Sequence, residues 1–372
     1  MAHRHFDTLL TNGTCVLPAG LYACDIGIHD GRIASIGDLA QYTADERIDC
    51  TGLHILPGVI DSQVHFREPG MAHKETLADG MRAAAAGGVT SIFEMPNTKP
   101  LTTDPDALQD KLARAANAPT VNYAFYFGGT AENAGSLPEW ENLPGTCGIK
   151  IFMGASTGDL LSETDDKVDA VLRHGRRVVA AHAEDEAIMQ ANRAEMIEKA
   201  GDDVAKHPDW RSVESCLSAT QRLVRIARRH GRPVHVLHIT TDKEMAFLAE
   251  NKDIASVEVL ANHLTLHAPE CYKRLGTRAQ QNPPIREKAH QEALWQAIAD
   301  GTVDILASDH APHTAEEKDT RYPDSPSGTP GVQTLLPVML DHVNAGRLSL
   351  QRLVDLLCHG PQRIHRIARK GR

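Results

Sequence analysis

The strongest constraint on how this chain folds is the rhythm of its apolar residues from Ile55 to Ala307. Short apolar, β-prone runs alternate with helix-like stretches. The runs are Ile55–Ile60, Gly88–Met95, Val121–Phe127, Gly148–Phe152, Arg177–Ala181, Pro233–Leu237, Ala255–Leu260 and Val303–Ala307. Thr76–Ala86, Asp104–Ala116, Asp185–Ala200 and Val213–His230 read as helices between them. Strands buried on both faces are near-continuous apolar runs, and their alternation with helices marks βα units around a parallel sheet. Eight such units in roughly 250 residues are the size of a (β/α)8 barrel. The expected fold is therefore α/β, a TIM-type barrel over residues 56–345. Residues 1–55 differ. Phe6–Thr11, Ala23–His29 and Arg32–Ile36 are short β segments, and Asp30-Gly31 is a hairpin signal, so a small β domain is expected there. Residues 346–372 contain the helix-like run Leu348–Leu357, read as a helical segment leading back toward that domain.

Composition narrows the function classes. With 372 residues and 41% hydrophobic content there is material for one large core and a smaller appendage. A net charge of −10 argues against non-specific nucleic-acid binding, so an anionic ligand would need a local cluster of cations. Cysteines at 15, 24, 50, 147, 216, 271 and 358 form no CxxC pair, which suits reduced thiols in a cytoplasm. The polar start Met-Ala-His-Arg-His-Phe-Asp leads into no long apolar run, so neither a signal peptide nor a membrane span is expected.

Barrel enzymes collect their chemistry at the C-terminal ends of strands. Gln63 and His65 follow the first run, and Asn97 the second. Lys150 lies near the end of Gly148-Ile-Lys-Ile-Phe. His182, His238 and Asp309 follow the next polar-ended runs. Three imidazoles, a carboxylate and a lysine at successive strand ends suit a divalent metal, zinc above all. Each also has a plainer reading. A single His can be a bonded core residue, and an Asp a helix cap. Lys150 between two isoleucines is harder to place, since a charged amine is rarely buried alone. Either its stem snorkels to the surface or it is chemically altered.

These positions sit in longer motifs: Asp61-Ser-Gln-Val-His-Phe-Arg-Glu-Pro-Gly70, Gly87-Gly-Val-Thr90, Met95-Pro-Asn-Thr98, Lys150-Ile-Phe-Met-Gly154, Ala181-His-Ala-Glu184, Leu237-His-Ile-Thr240, Asn282-Pro-Pro-Ile-Arg286 and Ser308-Asp-His-Ala-Pro-His313. Together they resemble the amidohydrolase superfamily over nearly the whole chain, and its class I dihydroorotases in particular. One position departs: the family reads Asp-x-His-x-His, and Gln63 stands where the first His belongs. The resemblance implies that Lys150 is carboxylated and bridges two metals. It implies that His182 and His238 hold the second metal, and His65 and Asp309 the first, with Gln63 in the vacant position. A neutral amide oxygen is a weaker zinc donor than imidazole, so the first metal should be held more loosely or be absent. The family's C-terminal strands, which complete its small β domain, do not appear before Arg372. A truncated copy and a smaller β domain both remain open.

The implied activity is hydrolysis of a cyclic amide, with Asp309 as proton carrier. By resemblance Arg67, Asn97 and His313 bind the carboxylate of dihydroorotate, and Asn282 contacts its ring. Arg67 could instead form a rim salt bridge with Glu68 or Glu75, and Asn97 and Asn282 could be turn residues. Gln333, in Pro330-Gly-Val-Gln-Thr334, receives no role. Two alternatives stay open: another cyclic amidase (on hydantoins, dihydropyrimidines or allantoin), and a non-catalytic scaffold for aspartate transcarbamoylase. The implied partners are a small anionic substrate and no nucleic acid or membrane. A homodimer and an association with aspartate transcarbamoylase are left open.

Overall fold

The computed structural model describes residues 5–155, 160–368 and 370. Seven short strands come first: β1 (His5–Thr11), β2 (Thr14–Leu17), β3 (Gly20–Ala23), β4 (Asp25–His29), β5 (Arg32–Gly37), β6 (Thr43–Asp49) and β7 (His54–Ile55). They form a four-stranded sheet, β5-β4-β1-β6, and a three-stranded sheet, β3-β2-β7. The expected hairpin joins β4 to β5. Its turn residues Asp30 and Gly31 have φ of 50° and 65°, the left-handed pair that a type I′ turn requires.

Eight parallel strands follow in sequential order: β8 (Val59–Val64), β9 (Val89–Glu94), β10 (Asn122–Gly128), β11 (Thr146–Phe152), β12 (Val179–His182), β13 (Val234–Val236), β14 (Ala255–Leu260) and β15 (Ile305–Ala307). The ring closes beyond β15. His65 N–H donates to the His310 carbonyl at 2.7 Å, and Ser308 N–H to Asp61 Oδ1 at 3.1 Å. The first strand does not stop at Ile60, as its apolar run suggested. It continues through Asp61, Ser62 and Gln63, all buried. Their polar groups are accommodated because neighbouring strands bond them, as Ser62 Oγ does in donating to Glu258 Oε2 at 3.0 Å.

Helices cover the barrel and start where side-chain caps place them. Thr76, Asp104, Asp185 and Ser212 each accept a backbone N–H at the start of Leu77–Ala86, Pro105–Ala116, Glu186–Ala200 and Val213–His230. The main core lies between these helices and the strands. A satellite cluster of Met196, Val204, Ala268, Cys271, Tyr272, Ala279, Ile285 and Tyr322 joins the long segments after β12, β14 and β15. After the barrel come Leu350–Val354, a π-turn over Asp355–His359, and Gly360–His365. Gln351 Nε2 donates to Pro18 O in the small domain, while His365 packs edge-on against Phe93 and Tyr126 inside the barrel. Among the described residues no helix is long and apolar enough to cross a membrane.

Candidate active site at the barrel mouth

The strand ends bring together Gln63, His65, Lys150, His182, His238 and Asp309. Three residues there, Arg67, His238 and Asp309, have φ of 30°, 41° and 48°. Positive φ is uncommon outside glycine, and such strain concentrates at functional sites. Here it turns the chain sharply as it leaves β8, β13 and β15.

The imidazoles arrive with neighbours against their ring nitrogens. Burial lowers the pKa of His65, His182 and His238, so all three are neutral near pH 7. His65 lies between two acceptors, with Nδ1 2.7 Å from Asn97 Oδ1 and Nε2 3.1 Å from Asp309 Oδ1, so its single proton serves one of them and leaves the other nitrogen facing an oxygen. His182 Nε2 faces Glu184 Oε2 at 2.8 Å, which directs Nδ1 toward His238 Nε2, 3.0 Å away. Burial raises the Glu184 pKa, but Arg211 and His182 outweigh it and hold this carboxylate well below its usual range. Arg211 Nε donates to both Glu184 oxygens at 3.0 Å. A carboxylate behind an imidazole is the arrangement that orients metal-binding histidines.

Lys150 does not snorkel. It is fully buried, its Nζ has no hydrogen-bond partner, and it stands 4.4 Å from the Phe152 ring centroid. Burial drives its pKa down to about 7 against the opposing pull of Asp309 and Glu258. Gln63 donates from Nε2 to Asp309 Oδ1 at 3.0 Å, leaving its buried Oε1 without a partner. His238 Nδ1 is also buried and unpartnered. Orphaned polar atoms cost free energy unless a ligand satisfies them. Among the described residues no three His, Cys, Asp or Glu side chains converge to hold a metal by themselves. The donors come as two pairs, His65 with Asp309 and His182 with His238. Lys150 lies near enough to both pairs to act electrostatically on Asp309, His182 and His238.

Beside this set lies a cluster of cationic and imidazole side chains, Arg67, Lys74 and His313. Arg67 is 3% exposed; its Nε donates to Pro312 O at 3.0 Å, and one terminal nitrogen is 3.2 Å from His313 Nε2. The rim salt bridges considered for it are absent, because Glu68 pairs with Arg114 and Glu75 with His310. Among the described residues Arg67 has no carboxylate within ion-pair distance. Asn97 stands behind His65. Asn282 is in a different set of contacts: its Oδ1 lies 2.9 Å from His207 Nε2, next to the satellite cluster. Gln333 is exposed. Sequence reasoning missed Glu184 and Arg211, although Glu184 ends a quoted motif two residues after His182. It also missed Lys74, whose Nζ is 3.0 Å from His313 Nδ1.

The amidohydrolase family model matches residues 54–372. The chain belongs to the amidohydrolase family. A dihydroorotase of Halobacterium salinarum is 35% identical over 93% of this chain and 82% of its own length. An allantoinase of Rubrobacter xylanophilus is 33% identical over 98% and 82%. In structure, the L-hydantoinase of Arthrobacter aurescens superposes with a TM-score of 0.94 at 29% identity, over 98% of this amidohydrolase and 84% of that chain. The shared architecture is the parallel barrel with a separate, strand-rich N-terminal domain.

Proposed function

We propose that this cyclic amide hydrolase is a zinc-dependent dihydroorotase, interconverting (S)-dihydroorotate and N-carbamoyl-L-aspartate in pyrimidine synthesis. The observation that carries this reading is Arg67, a buried guanidinium that touches no carboxylate among the described residues, with Asp309, Glu75, Glu94 and Glu317 acting on it only from beyond ion-pair distance. A buried cation without a direct ion pair is costly, and an anionic ligand relieves that cost. Dihydroorotate carries a carboxylate beside its ring, whereas the rings of hydantoin and allantoin do not. The dihydroorotase relative supports the same choice.

In this reading His65 and Asp309 would hold one zinc and His182 and His238 a second, and Lys150, once carboxylated, would add oxygen donors to the site. Carboxylation replaces a buried amine by an anion with two oxygen donors, which is what the paired sites lack. The depressed pKa of Lys150 favours the neutral amine that reacts with CO2. Zinc held there would supply Lewis acidity. Asp309 would take the proton of the water that attacks the ring carbonyl and give it to the ring nitrogen as the amide bond breaks. Asn97 fixes the His65 ring, Glu184 fixes the His182 ring, and Arg67 with His313 holds the substrate carboxylate.

The test is turnover. Zinc-loaded protein should interconvert the two compounds between about pH 6 and 9. Arg67→Gln should lower kcat/KM on dihydroorotate by roughly 30- to 150-fold, from the loss of about 2–3 kcal/mol of charge-assisted bonding, and barely change turnover of a neutral ring. Zinc-loaded protein that turns over hydantoin or allantoin but not dihydroorotate would establish the other amidase reading.

A further inference from the structure

We propose that Lys74 is a positioning residue that keeps the carboxylate pocket open by fixing the tautomer of His313. The identity of the anion rests on the function proposed above; the geometry does not. Lys74 Nζ lies 3.0 Å from His313 Nδ1 and 3.2 Å from Glu317 Oε1, and its side chain is 12% exposed. An ammonium only donates, so His313 Nδ1 must accept. Burial, with Arg67 and Lys74 adjacent, pushes the His313 pKa down to about 3, so the ring carries a single proton. That proton is therefore on Nε2, where Ser327 O lies 3.1 Å away as acceptor.

The consequence falls on Arg67. Its terminal nitrogen is 3.2 Å from His313 Nε2, and both atoms bear hydrogens. With its proton given to Ser327 O, Nε2 offers Arg67 no lone pair, so the guanidinium N–H that faces it is left for a carboxylate oxygen from outside. The opposite tautomer would destroy this arrangement. Nε2 would then accept from Arg67, and Nδ1–H would donate toward Glu317 Oε2, 3.5 Å away. Lys74 occupies the position that blocks that alternative. Gly328 leaves room for the pair: its φ is +139°, and a Cβ there would sit 3.0 Å from His313 Nε2.

The experiment compares the wild-type enzyme with Lys74→Met and Lys74→Arg. Nitrogen-15 spectra of histidine-labelled protein, assigned with His313→Ala, report the tautomer without substrate. We expect Nε2–H in the wild type and in Lys74→Arg, and Nδ1–H in Lys74→Met. For dihydroorotate, Lys74→Met should raise KM by about tenfold with kcat within about twofold, as expected for one lost charge-assisted contact in binding. Lys74→Arg should restore KM to within about threefold, since it keeps a donor. Retention of Nε2–H in Lys74→Met overturns the proposal. So does a switched tautomer with unchanged KM. If the wild type turns over no dihydroorotate, the functional reading fails, while the spectra still decide the role of Lys74.

Discussion

His65 Nε2 and Asp309 Oδ1 face each other across 3.1 Å while His65 Nδ1 faces Asn97 Oδ1 across 2.7 Å, so one proton serves two acceptors and one nitrogen–oxygen pair is left lone pair to lone pair. Such a pair repels unless a cation lies between or beside it. Metal removal should therefore cost stability as well as activity. A strong chelator should abolish turnover and lower Tm, and zinc should restore both. At free zinc a hundred times its Kd, the stabilisation should be about 2.7 kcal/mol. A Tm indifferent to metal would contradict the assignment.

Lys150 allows opposite signs for function and stability. Lys150→Ala should lose metal and activity, and bicarbonate or a short-chain carboxylate should return part of the activity by filling the vacated bridge. In the metal-free protein the fully buried amine has no partner. Lys150→Met should accordingly stabilise that form, by about 1–3 kcal/mol in denaturant unfolding. A fully active Lys150→Ala protein would remove the bridge from the mechanism.

Gln63 bonds Asp309 Oδ1 through Nε2, so its amide presents a hydrogen rather than a lone pair to the first metal pair. Zinc titration should resolve two affinities, with the weaker at His65 and Asp309. Gln63→His should tighten the weaker class by roughly tenfold or more, since Zn²⁺ prefers imidazole nitrogen to amide oxygen. A single tight class holding two zincs per chain would show that Gln63 is no handicap.

Acid stability should depend on Asp169, which ties helix Asp165–Leu172 to helix Val213–His230. It accepts from His230 at 2.8 Å and Arg229 at 2.9 Å, and pairs with Arg173 at 2.5 Å. The bond from His230 leads in pulling its pKa from 3.8 to about 2, against the upward push of burial. A carboxylate depressed in the folded state contributes stability that is present above about pH 4 and lost as pH falls toward 2. Asp169→Asn should be less stable than wild type at neutral pH, and the difference should shrink across that window. Acid-unfolding curves of the two proteins check this; a constant offset down to pH values near 2 would refute it.

Much of this architecture was legible in the chain because it rests on local periodicity. Runs such as Ala255–Leu260 and Val213–His230 have the observed ends, since continuous apolar runs bury on both faces and a Ser or Asp before a helix caps it. The strand-end donors were legible for the same reason: a polar residue that interrupts an apolar run marks the mouth. The extension of β8 through Asp61, Ser62 and Gln63 was not, because their bonding partners, Ser308, Glu258 and Asp309, lie about 200 to 250 residues away in sequence.

The sequence by itself determined the order of βα units, the hairpin at Asp30-Gly31 and which polar residues gather at the strand ends. Tertiary structure alone decided their protonation and pairing. Asn97 meets His65 across 32 residues, Glu184 reaches round to the far nitrogen of His182, and Lys74 meets His313 across 239 residues. The physical reason is that a side chain's type sets what it can donate or accept. Which nitrogen holds the proton, and whether a buried amine such as Lys150 finds a partner, is set by groups that only barrel closure brings within 3 Å or so.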